Sequence, residues 1–101
     1  MPPVKLIMSW DIAPDHEQEY FEFVIREFLP GLQKLGFELS DAWATVYGEE
    51  PQIMVAALLP SLENAKVMLI SPEWTSLYHR LLDYVKNYNQ KLIPARGGFQ
   101  F

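Results

Sequence analysis

The side chains that could do chemistry in this sequence are two histidines and a set of aromatic residues. His16 and His79 are the only histidines among 101 residues, and cysteine is absent. The absence of cysteine rules out disulfides, a thiolate nucleophile and cysteine-ligated metals. The histidines form no His-x-x-x-His pair, so no metal site is predicted. The sequence does not identify a catalytic residue by any motif. His79 is the candidate, and a structural role near the surface is the alternative for it.

The aromatic residues predict a binding pocket for a small molecule. Aromatic side chains make up 14% of the chain, a heavy complement for a small domain. Rings suit a flat apolar or aromatic ligand, while tyrosine hydroxyls, indole N–H groups and imidazole supply polar contacts. The alternative is that the rings serve only the core and a subunit interface. The predicted ligand-binding residues are Trp10, Trp43, Tyr47, Trp74, Tyr78 and His79.

Other kinds of catalytic site and cofactor find no support in the sequence. Gly97 and Gly98 lie near the C-terminus with no helix after them, so they do not form a phosphate-binding loop. The five serines are explained as helix caps, turns or surface positions, and they suggest no Ser-His-Asp grouping. We therefore predict no bound cofactor.

Length, composition and charge limit the class of protein. One hundred and one residues, half of them apolar, fit one domain spanning 1–101. The sequence contains no apolar run of about twenty residues, so no transmembrane helix is predicted. The N-terminus does not resemble a signal peptide. The net charge of −5 argues against nucleic acid and anionic membranes as partners. A cytoplasmic location is expected.

The first half of the chain predicts a strand, a helix and a second strand. Residues 4–11 are typical of a central strand. Asp15, with Gln18 three residues later, predicts a capped helix. Phe21, Val24 and Phe28 recur at helical spacing. Pro30 predicts a kink near Phe28, and Gly36 fits the helix end. Residues 37–47 alternate with period two, which places Phe37, Leu39, Trp43, Thr45 and Tyr47 on one face.

The second half predicts a strand, two helices and a final strand. A turn at 48–51 precedes a strand at 52–59 that is apolar on both faces, so the two strands form a hairpin. A short helix follows Ser61. Ser71 and Pro72 then begin another helix, on which Trp74 and His79 lie about 140° apart. We interpret 85–93 as a strand, although a continued helix also fits the spacing. The tail 94–101 carries two phenylalanines that need a surface to pack on.

This order of elements predicts an α+β fold, the ferredoxin-like βαββαβ arrangement with an antiparallel sheet. Both helical regions of such a fold cover one face of the sheet. The strand at 52–59 and Ile7 of the first strand would leave apolar side chains on the other face. We therefore expect a homodimer formed through that sheet face, with the tail packing on the domain or on its partner.

The chain resembles the dimeric α+β barrel superfamily over nearly its whole length. The features that carry the resemblance are FLPGLQKLGF at 28–37, SPEW at 71–74 and the aromatic-ended tail. That superfamily contains antibiotic-biosynthesis-type monooxygenases, haem-degrading monooxygenases, muconolactone isomerases and NIPSNAP-like proteins. The resemblance implies two sheets packed into a shared barrel, with a ligand cavity between the sheet and helices of each subunit.

The resemblance also limits the chemistry that can be expected. Haem-degrading relatives use an asparagine on the first strand with a tryptophan and a histidine on the second helix. Here Trp74 and His79 are five residues apart, and the first strand has Ser9 and Trp10 at its end instead of asparagine. A cofactor-independent monooxygenase or isomerase acting on a small apolar or aromatic compound fits better. The alternative is a non-catalytic ligand-binding or assembly module.

Overall fold

A computed structural model describes residues 3–44 and 53–95, with the backbone alone for 41–44. Its elements are β1 (Val4–Ile12), α1 (Glu17–Phe23), a π-helical turn (Val24–Phe28), α2 (Leu29–Lys34), β2 (Glu38–Ala44), β3 (Ile53–Leu59), α3 (Leu62–Leu69), α4 (Pro72–Leu82) and β4 (Val85–Pro94). The strands form an antiparallel sheet in the order β2-β3-β1-β4. This confirms the predicted ferredoxin-like α+β fold and the assignment of residues 85–93 to a strand.

One face of the sheet and the helices that cover it form the core. Alternate residues of β1 are buried, as expected for a central strand with one face in the core. Neighbouring β3 contributes Val55, Ala57 and Leu59 to the same face. The buried helical side chains that pack on this sheet face are Tyr20, Phe23, Phe28, Leu32, Ala65, Trp74 and Leu81.

The buried face of the first helical region differs from the one that periodicity predicts. Phe21, predicted on the apolar stripe, is 49% exposed. The buried positions are Tyr20, Phe23, Phe28 and Leu32. The step of five residues from Phe23 to Phe28 spans the π-helical turn, whose wider turns rotate the buried stripe. Pro30 follows at once, and it has no N–H to donate to a preceding carbonyl.

The start of α1 is not capped as the sequence predicts. The helix begins at Glu17, and His16 stands at the N-cap position without a side-chain hydrogen bond to the helix. Asp15 lies in the preceding turn with φ at 68°, a left-handed conformation that aspartate adopts more readily than most residues. The prediction of Asp15 as the cap was therefore wrong, because the backbone uses it to turn into the helix.

The other predicted helix boundaries agree with the structure. Ser61 and Ser71 accept hydrogen bonds from the backbone N–H groups of Asn64 and Trp74, as N-caps do. At the end of α2, Gly36 has φ of 99° and donates to the Gln33 carbonyl. The next residue bonds back to the carbonyl of Leu32, which completes a Schellman motif.

A bulge in β2 breaks the period-two pattern predicted for 37–47. Leu39 pairs with Ala57, but Asp41 pairs with Ala56, so Ser40 is an extra residue in the ladder. The Ser40 hydroxyl donates to the Ala56 carbonyl at 3.2 Å. Trp43 pairs with Met54, which puts its register position out of phase with that of Leu39. The predicted single face was therefore wrong, and the predicted turn at 48–51 lies outside the described residues.

The second face of the sheet is less exposed than the sequence suggests. Ile7, Met54 and Leu58 on this face are each half-buried, and Ala56 is 1% exposed. The most exposed large apolar side chains of the described residues lie on the helical side instead. They are Phe21, Ile25, Leu62, Val67, Ile70 and Leu82. At the chain's far end, the Ala95 N–H donates to the Pro3 carbonyl, and 96–101 lie outside the described residues.

Candidate functional site

A cleft of about 520 Å³ opens between α4 and β4. It brings together three of the six predicted ligand-binding residues, Trp74, Tyr78 and His79. Although Trp74 and His79 are far apart around the helix, both line this cleft. The full lining is Leu69, Trp74, Thr75, Tyr78, His79, Tyr88, Asn89 and Gln90.

Three aromatic rings form an angled wall in the cleft. Trp74 and Tyr78 on α4 are nearly parallel, with ring centroids 5.9 Å apart and 18° between the planes. Tyr78 meets Tyr88 of β4 at 64°, with centroids 5.0 Å apart. Aromatic rings attract one another in both arrangements. Because Trp74 is only 4% exposed, the half-buried rings of Tyr78 and Tyr88 supply the two differently oriented surfaces to which a flat molecule could pack.

Trp10 supports this wall from behind and is not among the residues that line the cleft. It is 1% exposed and stacks on Tyr88, with centroids 6.0 Å apart and 9° between the planes. Its indole N–H donates to the Tyr20 hydroxyl at 2.9 Å. Burial raises the pKa of Tyr20, and the hydrogen bond from Trp10 partly opposes that rise. Trp10 and Tyr20 thus hold Tyr88 in place.

A second bulge sets the orientation of Tyr88. Ser9 pairs with Asn89, whereas Asp11 pairs with Lys86, so β4 spans this stretch with one extra residue. Asn87 takes the left-handed conformation with φ of 57°, and its amide donates to the Asp11 carboxylate at 2.9 Å. Because of the extra residue, Val85 can be buried in the core while Tyr88, three residues later, faces the helices. Bulges commonly redirect side chains in this way.

Tyr88 and Gln90 are joined at the mouth of the cleft. The Tyr88 hydroxyl donates to Oε1 of Gln90 at 2.7 Å. Burial raises the pKa of Tyr88, and the neighbouring Tyr78 raises it further. Tyr88 therefore stays a protonated phenol that donates its hydrogen to Gln90. The two residues are two positions apart on one strand, which places them on the same face of the sheet.

The lining is polar but carries no permanent charge. Within 3–40 and 53–95, no Lys, Arg, Asp or Glu side chain lines this cleft. His79 is exposed at its rim, with its ring centroid 5.6 Å from that of Tyr78. His16 lies elsewhere, in an exposed pair with Glu19 at 3.9 Å. A neutral cleft with one imidazole can bind an uncharged molecule and exchange a proton with it.

Two broader properties of the described residues bear on function. No three of their His, Cys, Asp and Glu side chains are grouped closely enough to hold a metal ion. None of the helices that they form is long and apolar enough to cross a membrane.

Sequence reasoning missed the β4 side of the cleft. The sequence pattern places Tyr88, Asn89 and Gln90 in a strand but does not indicate which of them face a helix. The alternation of Tyr88, Gln90 and Leu92 is the signal that could have found them once the strand was paired with β1. Of the remaining predicted binding residues, Tyr47 and the side chain of Trp43 lie outside the described part.

Comparisons of sequence and of structure give different results. No protein-family model matches the sequence, and no curated protein is significantly similar to it. By structure, the chain is similar to a NIPSNAP family protein from Agrobacterium tumefaciens, with a TM-score of 0.69 and 18% identity, covering 95% of this chain and 88% of that one. The chain has the fold of the NIPSNAP proteins.

Two further solved structures share this NIPSNAP-like fold. One is an ethyl tert-butyl ether d (ethd) family protein from Bacillus halodurans, with a TM-score of 0.73, 16% identity and coverage of 93% of this chain and 99% of that one. The other is a dimeric protein of unknown function and ferredoxin-like fold from Bacteroides fragilis, with a TM-score of 0.64 and 16% identity. It covers 92% of this chain and 96% of that chain. At these sequence identities the structural similarity establishes the fold alone. Any activity has to be inferred from the residues of the cleft.

Proposed function

We propose that this chain binds a small, flat aromatic or apolar compound in the cleft between α4 and β4. The observation that carries the proposal is the angled wall of Trp74, Tyr78 and Tyr88 beside a rim of neutral polar groups. A volume of about 520 Å³ suits a small ligand, since such sites usually measure roughly 300–1,000 Å³. Ring contacts would supply affinity, and the polar rim would orient the molecule.

Catalysis on the bound compound, as a cofactor-independent monooxygenase or isomerase, is the second candidate function. The observation in its favour is His79, because imidazole is the side chain that most often transfers protons near neutral pH. Tyr78 and Tyr88 would hold the reacting molecule beside it. If the cleft only binds, the chain is a non-catalytic ligand-binding module.

We also propose that the chain forms a homodimer through the second face of its sheet. Ile7, Met54 and Leu58 give the centre of that face an apolar surface, with Lys5 and Lys91 beside them. A two-fold dimer would cover the same patch on both subunits. The Bacteroides fragilis neighbour of the same fold is described as dimeric, which agrees with this proposal.

A blocked cleft tests ligand binding. Thr75 and Ser76 are adjacent exposed residues of α4, but only Thr75 lines the cleft. Thr75→Trp should fill the cleft and abolish binding of aromatic fragments in ligand-observed NMR, while Ser76→Trp should leave it intact. Fragment binding that Thr75→Trp does not change would refute the cleft as the site.

The two histidines provide a matched test of catalysis. In a panel of small aromatic substrates, His79→Ala should lower turnover about 10²- to 10⁴-fold, the usual contribution of a general acid or base. His16→Ala removes an exposed histidine that does not line the cleft and should leave turnover unchanged. Full activity in the His79 variant would refute His79 as the catalytic residue, and no turnover by the native chain would leave binding as the function of the cleft.

A further inference from the structure

We propose that the cleft selects an uncharged planar ring compound whose edge carries a hydrogen-bond donor and an acceptor side by side, as a carboxamide does. The inference rests on the proposed function, since it assumes that the cleft is the ligand site. It adds the chemical class of the ligand and identifies Tyr88 and Gln90 as the residues that determine it.

The first step is the charge of the lining. A bound carboxylate or ammonium group loses water, and it needs an opposite charge or several strong hydrogen bonds in return. The described lining of the cleft contains no Lys, Arg, Asp or Glu side chain, and the exposed imidazole of His79 is its one group that becomes positive on protonation. Arg80, the arginine of α4, is committed elsewhere. It forms an ion pair with Glu27 and lies over the Phe23 ring, 5.0 Å from its centroid.

The second step is the hydrogen bond between Tyr88 and Gln90. The hydroxyl hydrogen of Tyr88 is directed to Oε1 of Gln90. The bond occupies the Tyr88 proton and the Gln90 carbonyl. What remains for a ligand is the phenol oxygen as an acceptor and the Gln90 amide hydrogens as donors. The pair therefore presents one acceptor beside one donor.

A carboxamide matches this pair atom for atom. Its carbonyl can accept from the Gln90 amide while its N–H donates to the Tyr88 oxygen. A carboxylate has only acceptors, so one of its oxygens would face the lone pairs of Tyr88. An amidinium has only donors, so one N–H would face the amide hydrogens of Gln90. Each mismatch loses one of the two hydrogen bonds and sets two like partial charges against each other.

The Tyr88 side of the pair is held in place by its aromatic neighbours. Tyr88 is packed between Trp10 on one side and Tyr78 on the other, with centroids 6.0 and 5.0 Å away. Its ring is therefore fixed, and a turn of the hydroxyl hydrogen about the C–O bond towards an anion would break the bond to Gln90. Burial also raises the pKa of Tyr88, so the phenol keeps its proton across the neutral range.

Three probes of one shape and different charge test this selectivity. They are 2-naphthamide, 2-naphthoate and naphthalene-2-carboxamidinium, titrated into the full chain at neutral pH by protein-observed NMR. We expect the amide to bind at least about tenfold more tightly than either ion. Equal or tighter binding of the naphthoate would overturn the inference.

Variants of the exposed Gln90 and of Tyr88 distinguish specific hydrogen bonding to the ligand from non-specific binding to the aromatic rings. Gln90→Glu should shift the preference to the amidinium, because the new carboxylate offers only acceptors. Gln90→Leu should remove the preference for the amide while the rings still bind. Tyr88→Phe should also reduce the discrimination, since Gln90 loses the bond that orients it. Unchanged selectivity in all three variants would refute the assignment of these residues.

The failure of this inference can be separated from failure of the proposed function. If probes bind and Thr75→Trp blocks them, but amide and naphthoate bind equally, the cleft is the site and the selectivity is wrong. If no probe binds, the selectivity is also wrong, and the fragment screen with Thr75→Trp and Ser76→Trp still decides the proposed function.

Discussion

The indole N–H of Trp10 donates to the hydroxyl of Tyr20 at 2.9 Å, and both side chains are almost completely buried. This bond joins β1 to α1 within the core, directly behind Tyr88 in the angled wall of the cleft. Each side chain places a polar tip among apolar groups, and each satisfies the other. The rigidity of the cleft therefore depends on a polar contact that no ligand touches.

Removing the Tyr20 hydroxyl should destabilise the fold. Tyr20→Phe leaves the buried indole N–H of Trp10 without its acceptor, which costs roughly 1–3 kcal/mol. The free energy of unfolding from urea denaturation measures this loss. Glu22→Gln alters an exposed residue of the same helix and should change it by less than about 0.5 kcal/mol. An equal effect of the two variants would show that the bond contributes nothing to stability.

The cap of α4 offers a second stability test. The Ser71 hydroxyl accepts from the Trp74 N–H at 3.2 Å and donates to the Met68 carbonyl at 2.7 Å. Ser71→Ala should therefore lower the free energy of unfolding by roughly 0.5–2 kcal/mol. Ser76→Ala, an exposed position in the same helix, is the control and should be within about 0.5 kcal/mol of the native chain. A loss confined to Ser76→Ala would contradict the capping role.

Gly36 should resist replacement because of its backbone conformation. Its φ of 99° is unfavourable for residues with a Cβ, and an added Cβ would lie 3.3 Å from Cε of Met68. Gly36→Ala should therefore cost about 1–2 kcal/mol in thermal or urea unfolding. Gly36→Asn should cost less, since asparagine adopts left-handed conformations more readily. If alanine were tolerated as well as asparagine, the strain would lie elsewhere.

The ion pair of Glu27 and Arg80 should be visible in acid titration. The hydrogen bond from Arg80 lowers the pKa of Glu27 below its ordinary value of 4.5. Because the folded pKa is depressed, the contribution to stability is present above the ordinary value and is lost as pH falls through the lowered one. Arg80→Met should raise the Glu27 pKa in a carboxyl NMR titration. Arg26→Met, which changes the residue next to Glu27 in the chain, should not, because the lowered pKa comes from Arg80.

Disruption of the second sheet face should change the oligomeric state. Met54→Arg places a charge at the centre of that face and should convert a dimer to a monomer in sedimentation experiments. Val67→Arg places the same charge on an exposed position of α3 and should leave the dimer intact. A native chain that stays monomeric at micromolar concentration would refute the proposed dimer without affecting the cleft.

Local chemistry in the sequence was enough to predict the order of the elements and several of their ends. Ser61 and Ser71 cap helices because their hydroxyls reach N–H groups only three residues away. Gly36 ends α2 because the backbone there has a positive φ, which glycine adopts without strain. Such interactions involve neighbours in sequence, so residue types and spacing suffice to predict them.

The tertiary structure decided which faces of the elements are buried and which residues line the cleft. The π-helical turn shifts the buried stripe from the predicted face, and the bulges at Ser40 and Asn87 change which strand residues share a side. The register of each strand is set by the strand beside it, and a displacement of one residue reverses every side chain. The sequence therefore predicts Trp74 and His79 as binding residues, since both lie on one helix. The positions of Tyr88 and Gln90 in the cleft depend on the pairing of β4 with β1 and on its packing against α4.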